Sequence, residues 1–312
     1  MPAPGAIAVW PWAAFVLAML VFLALDLGVF HRAPRVVNPK TALLWTAFWF
    51  LLALVFAGGL AAWRGPEESL EFLAGYVVEF SLSLDNVAAI ALIFAFFGVA
   101  ARQQHRVLYW GILGAIATRG AFIALGATLL QSFHWVLYLM GAFLVFTGLK
   151  WGFSKQAEIH PERNPILRLA RKFLPVAESG PDAGEKFLTW ANGRRAITPL
   201  ALALLTVETA DLLFAFDSIP AVFAVTEKPF IVFTSNCFAI LGLRSLYFAV
   251  AGAMAHFRFL KAGLAAVLVF VGAKMLASAW LAISTGLSLV IVAAIIAGAI
   301  GLSVAQRKKG HS

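Results

Sequence analysis

The sequence contains a single cysteine, Cys237, and only 15 acidic residues among its 312 positions. One cysteine cannot form a disulfide within its own chain, so the fold has to be stable without such a bridge. Glycine-rich phosphate loops, nucleophile elbows and zinc-protease motifs are also missing, and these would mark several enzyme classes. We therefore expect no enzyme activity and no bound cofactor.

Charge is scarce as well: only 12% of the residues are charged, while 62% are hydrophobic. Long apolar runs of this kind are typical of transmembrane helices. The net charge of +9 does not indicate nucleic-acid binding, because the basic residues lie mostly in short loops between the apolar runs. The composition predicts a single membrane domain, residues 1–312, with the lipid bilayer as its surroundings.

Nine apolar runs are long enough to be spanning helices. They cover about 8–30, 41–62, 70–98, 106–130, 133–152, 199–226, 230–255, 259–281 and 285–305. With nine spans, 18 loop Lys and Arg residues fall on one side and two on the other. The positive-inside rule then predicts an integral protein of the cell (inner) membrane, with its N-terminus outside and its C-terminus in the cytoplasm.

Apart from charges in the first three residues of a run, ten charged residues lie inside these runs, where each costs roughly 2.5–3.5 kcal/mol on insertion scales. The six acids and four bases are Asp26, Glu79, Asp85, Glu208, Asp211, Asp217, Arg119, Lys150, Arg244 and Lys274. The two surplus negative charges match one divalent cation or two protons. The alternative is that the acids serve only in structural ion pairs. Asp26 in particular could simply pair with His31 or Arg32.

The intramembrane charges also repeat along the chain. Glu79, Asp85 and Asn86 recur 132 positions later as Asp211, Asp217 and Ser218, and Arg119 and Lys150 recur as Arg244 and Lys274. Helices 3–5 (residues 70–152) thus match helices 6–8 (residues 199–281). Because each copy has an odd number of helices, the second runs in the opposite sense, an inverted-topology repeat typical of transporters.

The segment between the repeats, residues 153–198, is predicted to be a cytoplasmic loop. Residues 164–176 read as a basic amphipathic helix lying on the inner leaflet. Residues 186–198 could form a hairpin about Asn192 and Gly193.

The acidic motifs contain carboxylate, amide and hydroxyl oxygens, which suit hard cations such as Mg²⁺, Ca²⁺ or Mn²⁺. In an unbroken helix, however, Asp85 lies about 120° round from Glu79. The two acids can converge only if helix 3 is distorted; otherwise they line successive positions along a pathway. Pro220 is predicted to kink or unwind helix 6 beside Asp217.

Three long motifs resemble the TerC family of integral membrane proteins. They are residues 79–86 (EFSLSLDN), 214–221 (FAFDSIPA) and 234–248 (TSNCFAILGLRSLYF). The resemblance implies Mn²⁺ export, and the family name refers to tellurite resistance. It places the family's acidic motifs on Glu79, Asp85, Asn86, Glu208, Asp211, Asp217 and Ser218, and its helical arginines on Arg119 and Arg244.

Together these features predict a secondary transporter that exports a divalent cation, Mn²⁺ first, in exchange for protons. Glu79, Asp85, Asp211 and Asp217 would be direct ligands, with Asn86 and Ser218 completing the shell and Glu208 acting as ligand or proton carrier. Arg119, Arg244, Lys274 and Asp26 would pair with charges inside the membrane. The alternatives are a Ca²⁺/H⁺ exchanger, a membrane scaffold of a stress response, and a metal-dependent lipid phosphatase; the oligomeric state stays open.

Overall fold

The computed structural model describes residues 9–25, 39–153, 175–176, 186–191, 194–250, 259–281 and 283–309. These residues form nine helices and one two-stranded sheet. In chain order the elements are α1 (Val9–Leu25), α2 (Pro39–Arg64), α3 (Pro66–Phe96), α4 (Ala101–Ser132), α5 (Trp135–Phe153), β1 (Leu188–Ala191), β2 (Arg194–Ile197), α6 (Pro199–Phe223), α7 (Pro229–Val250), α8 (Leu260–Ala277) and α9 (Thr285–Lys309).

The predicted class, an all-α polytopic membrane protein, is confirmed. Within the described ranges, eight helices are long and apolar enough to cross a bilayer, and α1 is a shorter apolar helix. The remainder of the first predicted span, including Asp26, lies outside the described residues. The α1 helix belongs to one unit of the chain and the helices from α2 onward form a second unit; the single-domain prediction stays a prediction.

In the second unit, α7 is the innermost helix, with every residue from Phe230 to Tyr247 buried. The outermost helices are α2 and α9, which expose large apolar side chains such as Leu44 and Val290. Exposed apolar side chains on membrane-length helices are what contact with lipid requires. The α7 helix therefore makes its contacts with other helices, whereas α2 and α9 face outward.

The packing of α5 against α8 has two-fold character. A Cβ atom added at Gly148 would lie 2.8 Å from the Ala265 carbonyl oxygen, and one at Gly272 would lie 2.6 Å from that of Gly141. Gly141 and Gly148 lie 124 positions before Ala265 and Gly272, the same spacing that separates Lys150 from Lys274. Exchanging the two repeats therefore converts one of these contacts into the other. The two helices run antiparallel, as inverted repeats require. The repeat boundaries at 70–152 and 199–281 stay predictions.

The helices that carry the acids obey the same relation. Gly75 of α3 packs against Ser235 of α7, and Gly111 of α4 packs against Val207 of α6. Val207 lies 132 positions after Gly75, the same spacing that separates Glu79 from Asp211. Ser235 lies 124 positions after Gly111, one fewer than the 125 that separate Arg119 from Arg244. The crossing pairs α3–α7 and α4–α6 are thus matched copies of one another.

The segment before α6 shows how the second repeat begins. Strands β1 and β2 pair antiparallel, with Ala191 opposite Arg194, which confirms the predicted hairpin. Thr198 then caps α6 by accepting a hydrogen bond from the Ala201 N–H at 3.2 Å, and Pro199 takes the first helical position, where its missing N–H costs nothing. The amphipathic helix predicted in residues 164–176 falls almost entirely outside the described residues.

The expected unwinding at Pro220 is wrong. The α6 helix continues through Pro220 to Phe223, and the Ala224 N–H donates to the Pro220 carbonyl at 3.0 Å. Pro220 lies in the last turn of α6, so its ring removes only one helical hydrogen bond, the one to Phe216. The α6 helix therefore remains helical up to its last residue, Phe223.

Candidate functional site

The guanidinium of Arg119, on α4, lies at the centre of the transmembrane bundle and is only 1% exposed. Its Nη1 donates to Glu79 of α3. Its Nη2 and Nε donate to the two oxygens of Asp211 on α6, at 2.8 and 3.1 Å. The two acids occupy matched positions in the two repeats. One buried arginine therefore joins the repeats through their equivalent carboxylates.

Two neutral side chains also face the Arg119 guanidinium. Ser218 Oγ lies 3.2 Å and Asn236 Oδ1 lies 3.4 Å from Nη1. A guanidinium nitrogen of this type carries two hydrogens, whereas Nη1 here faces three acceptors: Glu79, Ser218 and Asn236. The position of Nη1 is therefore surrounded by more oxygen atoms than its own hydrogens can satisfy.

Asn236 is a site residue that the sequence prediction did not include. It lies in the polar run Thr234–Ser235–Asn236 of a helix that is otherwise largely apolar, and it is 1% exposed. Three consecutive polar residues in the middle of a span are the sequence signal for this site residue. The signal is weak, because an amide or hydroxyl in a span is far less conspicuous than a charge.

A small, partly open cavity adjoins this centre. Its polar lining comes from Asn86, Asp211 and Arg244, and its other walls come from α3, α4, α6 and α7. Arg244 is the repeat counterpart of Arg119, and Asn86 is the counterpart of Ser218. Exchanging the two repeats therefore converts the place where Arg119 lies beside Ser218 into the cavity, where Arg244 and Asn86 lie.

Asp85 and Asp217 do not join this centre. Each lies six residues from the central acid of its own helix, which is about 9 Å along the axis. Lys261 is the charged neighbour of Asp85, and Thr147 and Lys150 are the neighbours of Asp217. Because α3 and α6 run antiparallel, the two aspartates flank the centre on opposite sides.

The described helices contain no group of three or more His, Cys, Asp or Glu side chains that could hold a metal ion together. The sequence allowed Glu79 and Asp85 either to converge on one point or to line successive positions along a pathway. In this conformation they line successive positions. The α3 helix is unbroken from Pro66 to Phe96, so Glu79 and Asp85 point in different directions. The assignment of the four acids as direct ligands stays a prediction.

Glu208 lies one turn before Asp211, and its carboxylate rests against the backbone of α4. Its oxygen atoms fill the space in which a Cβ atom at Gly114 would lie. Glycine at position 114 therefore lets the carboxylate approach α4 closely. Glu208 and Asp211 are near enough to influence each other electrostatically.

Lys274 does not pair with an intramembrane acid among the described residues. Its side chain lines an apolar crevice between α3, α8 and α9, together with Val78, Val271 and Ser288. The helix α8 places this lysine beside α9 and away from the central acids. The predicted pairing of Asp26 lies outside the described residues.

An ionic cluster links the start of α3 to the turn between α6 and α7. In the sequence prediction its residues count only as loop charges. Lys228 Nζ lies 3.2 Å from Glu71 Oε1 and 3.5 Å from Glu68 Oε1. Thr226 donates to Glu71 at 2.8 Å, and Arg64 donates to Glu68 at 2.9 Å. The cluster lies beyond the central acids, at the end of the bundle where α6 finishes.

The helices and the centre define a class: a polytopic α-helical membrane protein with a buried ion-pair centre between two inverted repeats. The model of the integral membrane protein TerC family matches residues 64–310. The chain belongs to the TerC family.

Curated relatives cover nearly all of the chain. An "Uncharacterized membrane protein STKORF319" from Myxococcus xanthus is 49% identical over 94% of this chain and 90% of its own. A "Putative membrane-bound redox modulator Alx" from Salmonella typhi is 42% identical over 85% of this chain and 84% of its own. An "Uncharacterized membrane protein" from Rickettsia bellii is 35% identical over 95% of this chain and 97% of its own. No solved structure matches the chain.

Proposed function

We propose that this TerC-family protein is a secondary transporter that exports a divalent metal cation, Mn²⁺ first, from the cytoplasm in exchange for protons. One observation carries the proposal. Glu79 and Asp211, one from each inverted repeat, are held together by a single buried arginine beside a mainly apolar cavity that Asp211 also lines. Inverted-repeat transporters have their substrate sites at such an interface, near the middle of the membrane.

The chemistry of the centre supports a hard cation. Carboxylate, hydroxyl and amide oxygens are the ligands that Mg²⁺, Ca²⁺ and Mn²⁺ prefer. Within this group, the choice of Mn²⁺ rests on the family resemblance. A Ca²⁺/H⁺ exchanger is the alternative that uses the same oxygen atoms.

Arg119 gives the carrier a cation-free state. Two carboxylates buried without a positive partner would be costly, and the guanidinium supplies that charge when no metal is present. In the exchange, the metal displaces Arg119 from Glu79 and Asp211. Arg244 and Asn86, the repeat counterparts of Arg119 and Ser218, line the cavity together with Asp211 and would take part in the opposite state.

Export requires an energy source, because moving two positive charges out against an inside-negative potential costs about 4.6 kcal/mol per 100 mV. No nucleotide-binding motif occurs in the sequence, so we propose counter-transport of protons. Asp85 and Asp217, on either side of the centre, are placed to serve as approach sites or proton carriers. The proposed orientation has the N-terminus outside and the C-terminus in the cytoplasm of the inner membrane.

Several relatives are named as redox modulators. For this chain we propose that any redox effect follows from metal export. Cys237 is the single cysteine of the chain and is 1% exposed, so an intrachain dithiol cannot form. A stress-response scaffold that works through residues 153–198 is the remaining alternative.

Flux into inverted membrane vesicles tests the proposal. We expect uptake of Mn²⁺ that depends on a proton gradient, and loss of that uptake in Asp85→Asn and Asp217→Asn. Glu227→Gln is the matched control, since it removes an exposed acid outside the helices. Full Mn²⁺ uptake in both aspartate variants would remove the roles assigned to them. Uptake of Ca²⁺ but not Mn²⁺ would make Ca²⁺ the proposed substrate. Normal Mn²⁺ uptake after deletion of the 153–198 loop would exclude the scaffold alternative.

A further inference from the structure

Three buried polar atoms close to Arg119 have no hydrogen-bond partner among the described residues: Glu79 Oε2, Ser83 Oγ and Asn236 Nδ2. Their side chains are 0%, 1% and 1% exposed. Buried polar groups in native proteins are nearly always paired, and an unpaired one typically costs about 1–3 kcal/mol. The two unpaired oxygen atoms, Glu79 Oε2 and Ser83 Oγ, can accept a ligand such as a cation. The unpaired Asn236 Nδ2 is an N–H donor, so Asn236 can bind a cation only through its Oδ1.

The three side chains belong to one cluster. Glu79 and Asn236 both face Nη1 of Arg119. Ser83 lies one turn after Glu79 on α3, so the two share a helix face. Buried hydroxyls elsewhere in these helices bond to their own backbone: Ser81 donates to the Val77 carbonyl and Ser235 to the Val232 carbonyl. Ser83 makes no such bond, so its oxygen stays available to a ligand.

We propose that Ser83 and Asn236 are ligands of the transported divalent cation. The cation takes the position that the Arg119 guanidinium occupies in this conformation, with its other partners, Glu79, Asp211 and Ser218, completing an all-oxygen shell. The inference rests on the proposed function and extends it, because neither Ser83 nor Asn236 is among the ligands predicted from the sequence. Asn236 Oδ1 already points at the Nη1 position, so its amide can accept the metal without turning.

The repeat relation strengthens the case and limits the number of sites. Moving Asn236 back by 125 or 124, the two offsets found between these repeats, gives Gly111 or Ile112, and moving Ser83 forward by the acid offset of 132 gives Ala215. None of these has a polar side chain, and Gly111 and Ile112 line the cavity. The polar side chains at the Ser83 and Asn236 positions thus occur in one repeat only. Within the described helices, the full set of oxygen ligands is therefore assembled once, beside Arg119, with Asp211 shared with the cavity.

Direct metal binding provides the test. We expect Asn236→Leu, which keeps the size of the side chain and removes its oxygen, to weaken Mn²⁺ binding about tenfold or more, as lost support at metal sites does. Ser83→Ala should weaken it less. Asn236→Asp should retain binding and change the preference between Mn²⁺ and Ca²⁺. Calorimetry on the full-length protein purified in detergent, with Mn²⁺ as the probe, measures all three.

Matched controls separate ligand loss from misfolding. Thr234→Val and Ser81→Ala remove buried hydroxyls that bond to the backbone of α7 and α3, and both should bind Mn²⁺ within about twofold of the wild type. If Asn236→Leu does not fold, Asn236→Asp and Ser83→Ala still decide the question. Wild-type Mn²⁺ affinity and selectivity in Asn236→Asp and Ser83→Ala would overturn the proposal, even if transport is intact. Absence of Mn²⁺ flux in the wild type would instead overturn the proposed function.

Discussion

A Cβ atom added at Gly272 would lie 2.6 Å from the carbonyl oxygen of Gly141, closer than real Cβ atoms approach a backbone oxygen. The α5–α8 contact is thus backbone against backbone, the close approach that small residues permit between membrane helices. Neither helix can yield by turning a side chain, so the contact depends on glycine at both positions.

We predict that Gly272→Ala lowers the unfolding free energy by about 1–3 kcal/mol, the usual cost of overpacking a tight interface. Thermal unfolding in detergent measures the change. Gly298→Ala is the control, because nothing lies within 4 Å of a Cβ atom at that helical position. It should be neutral or stabilise the protein by up to about 1 kcal/mol through helix propensity. Equal stability of the two variants would contradict the close contact.

Arg119→Met should be strongly destabilising in the absence of divalent ions, by about 3–5 kcal/mol, because Glu79 and Asp211 would remain buried without their counter-charge. Removing all three charges, by adding Glu79→Gln and Asp211→Asn, should restore much of that stability. Arg106→Met, which changes an exposed arginine on the same helix, should cost no more than about 1 kcal/mol.

The same variant tests whether metal and arginine compete. A ligand that binds only the folded state stabilises it in proportion to its affinity. Mn²⁺ should therefore raise the melting temperature of Arg119→Met more than that of the wild type. An equal or smaller rise would show that the guanidinium does not occupy the cation position.

Gly114→Ala should lower transport with little loss of stability. The new methyl group would displace the Glu208 carboxylate from the α4 backbone. Because this carboxylate is the far end of a flexible side chain, we expect a stability change below about 1 kcal/mol. Mn²⁺ flux, with binding measured in parallel, checks the effect. Gly120→Ala serves as the control on the same helix, since only the edge of the Phe233 ring lies near that position. Full transport in Gly114→Ala would show that the position of Glu208 is not needed.

In the ionic cluster at the end of α6, Thr226→Val should cost more stability than Lys228→Ala. Thr226 is 5% exposed, and its hydroxyl donates to Glu71 and accepts from the Lys228 N–H. Its loss removes both bonds and leaves that N–H without its partner, at about 1–3 kcal/mol. The Lys228 side chain is 41% exposed, and partly exposed ion pairs contribute about 0–1 kcal/mol. Denaturation of the two variants side by side gives the order. The reverse order would mean that the lysine, not the threonine, holds the turn to α3.

Much of the bundle was predictable, because the hydrophobic runs mark where the chain crosses the membrane. Their ends were less so: α4 begins at Ala101, before the predicted 106, since Arg102 and Arg106 belong to the helix although they lie outside its apolar part. Hydropathy reports the apolar length, whereas helices extend into the polar region on either side.

The central site was predictable where it is charged. Glu79, Asp211 and Arg119 stand out because a charge in a span is expensive. Ser83 and Asn236 were not selected, because a hydroxyl or an amide costs little enough to occur in many helices for local reasons. The separation of Asp85 from the centre follows from helix geometry, but only the unbroken α3 decides between the two arrangements that the sequence allowed.

The complete burial of α7 has a consequence for biogenesis. Its mean hydropathy, 1.4, is below that of α2, 2.1, and it carries Arg244 and Asn236 in its interior. A lone helix of this kind partitions poorly into lipid, since an arginine near its centre opposes insertion by roughly 2.5–3.5 kcal/mol. Its neighbours supply the polar contacts and the close packing that lipid cannot. We therefore expect α7 to be held in the membrane as part of an assembling bundle, packed against α2, α3 and α4, of which α2 is apolar enough to insert alone.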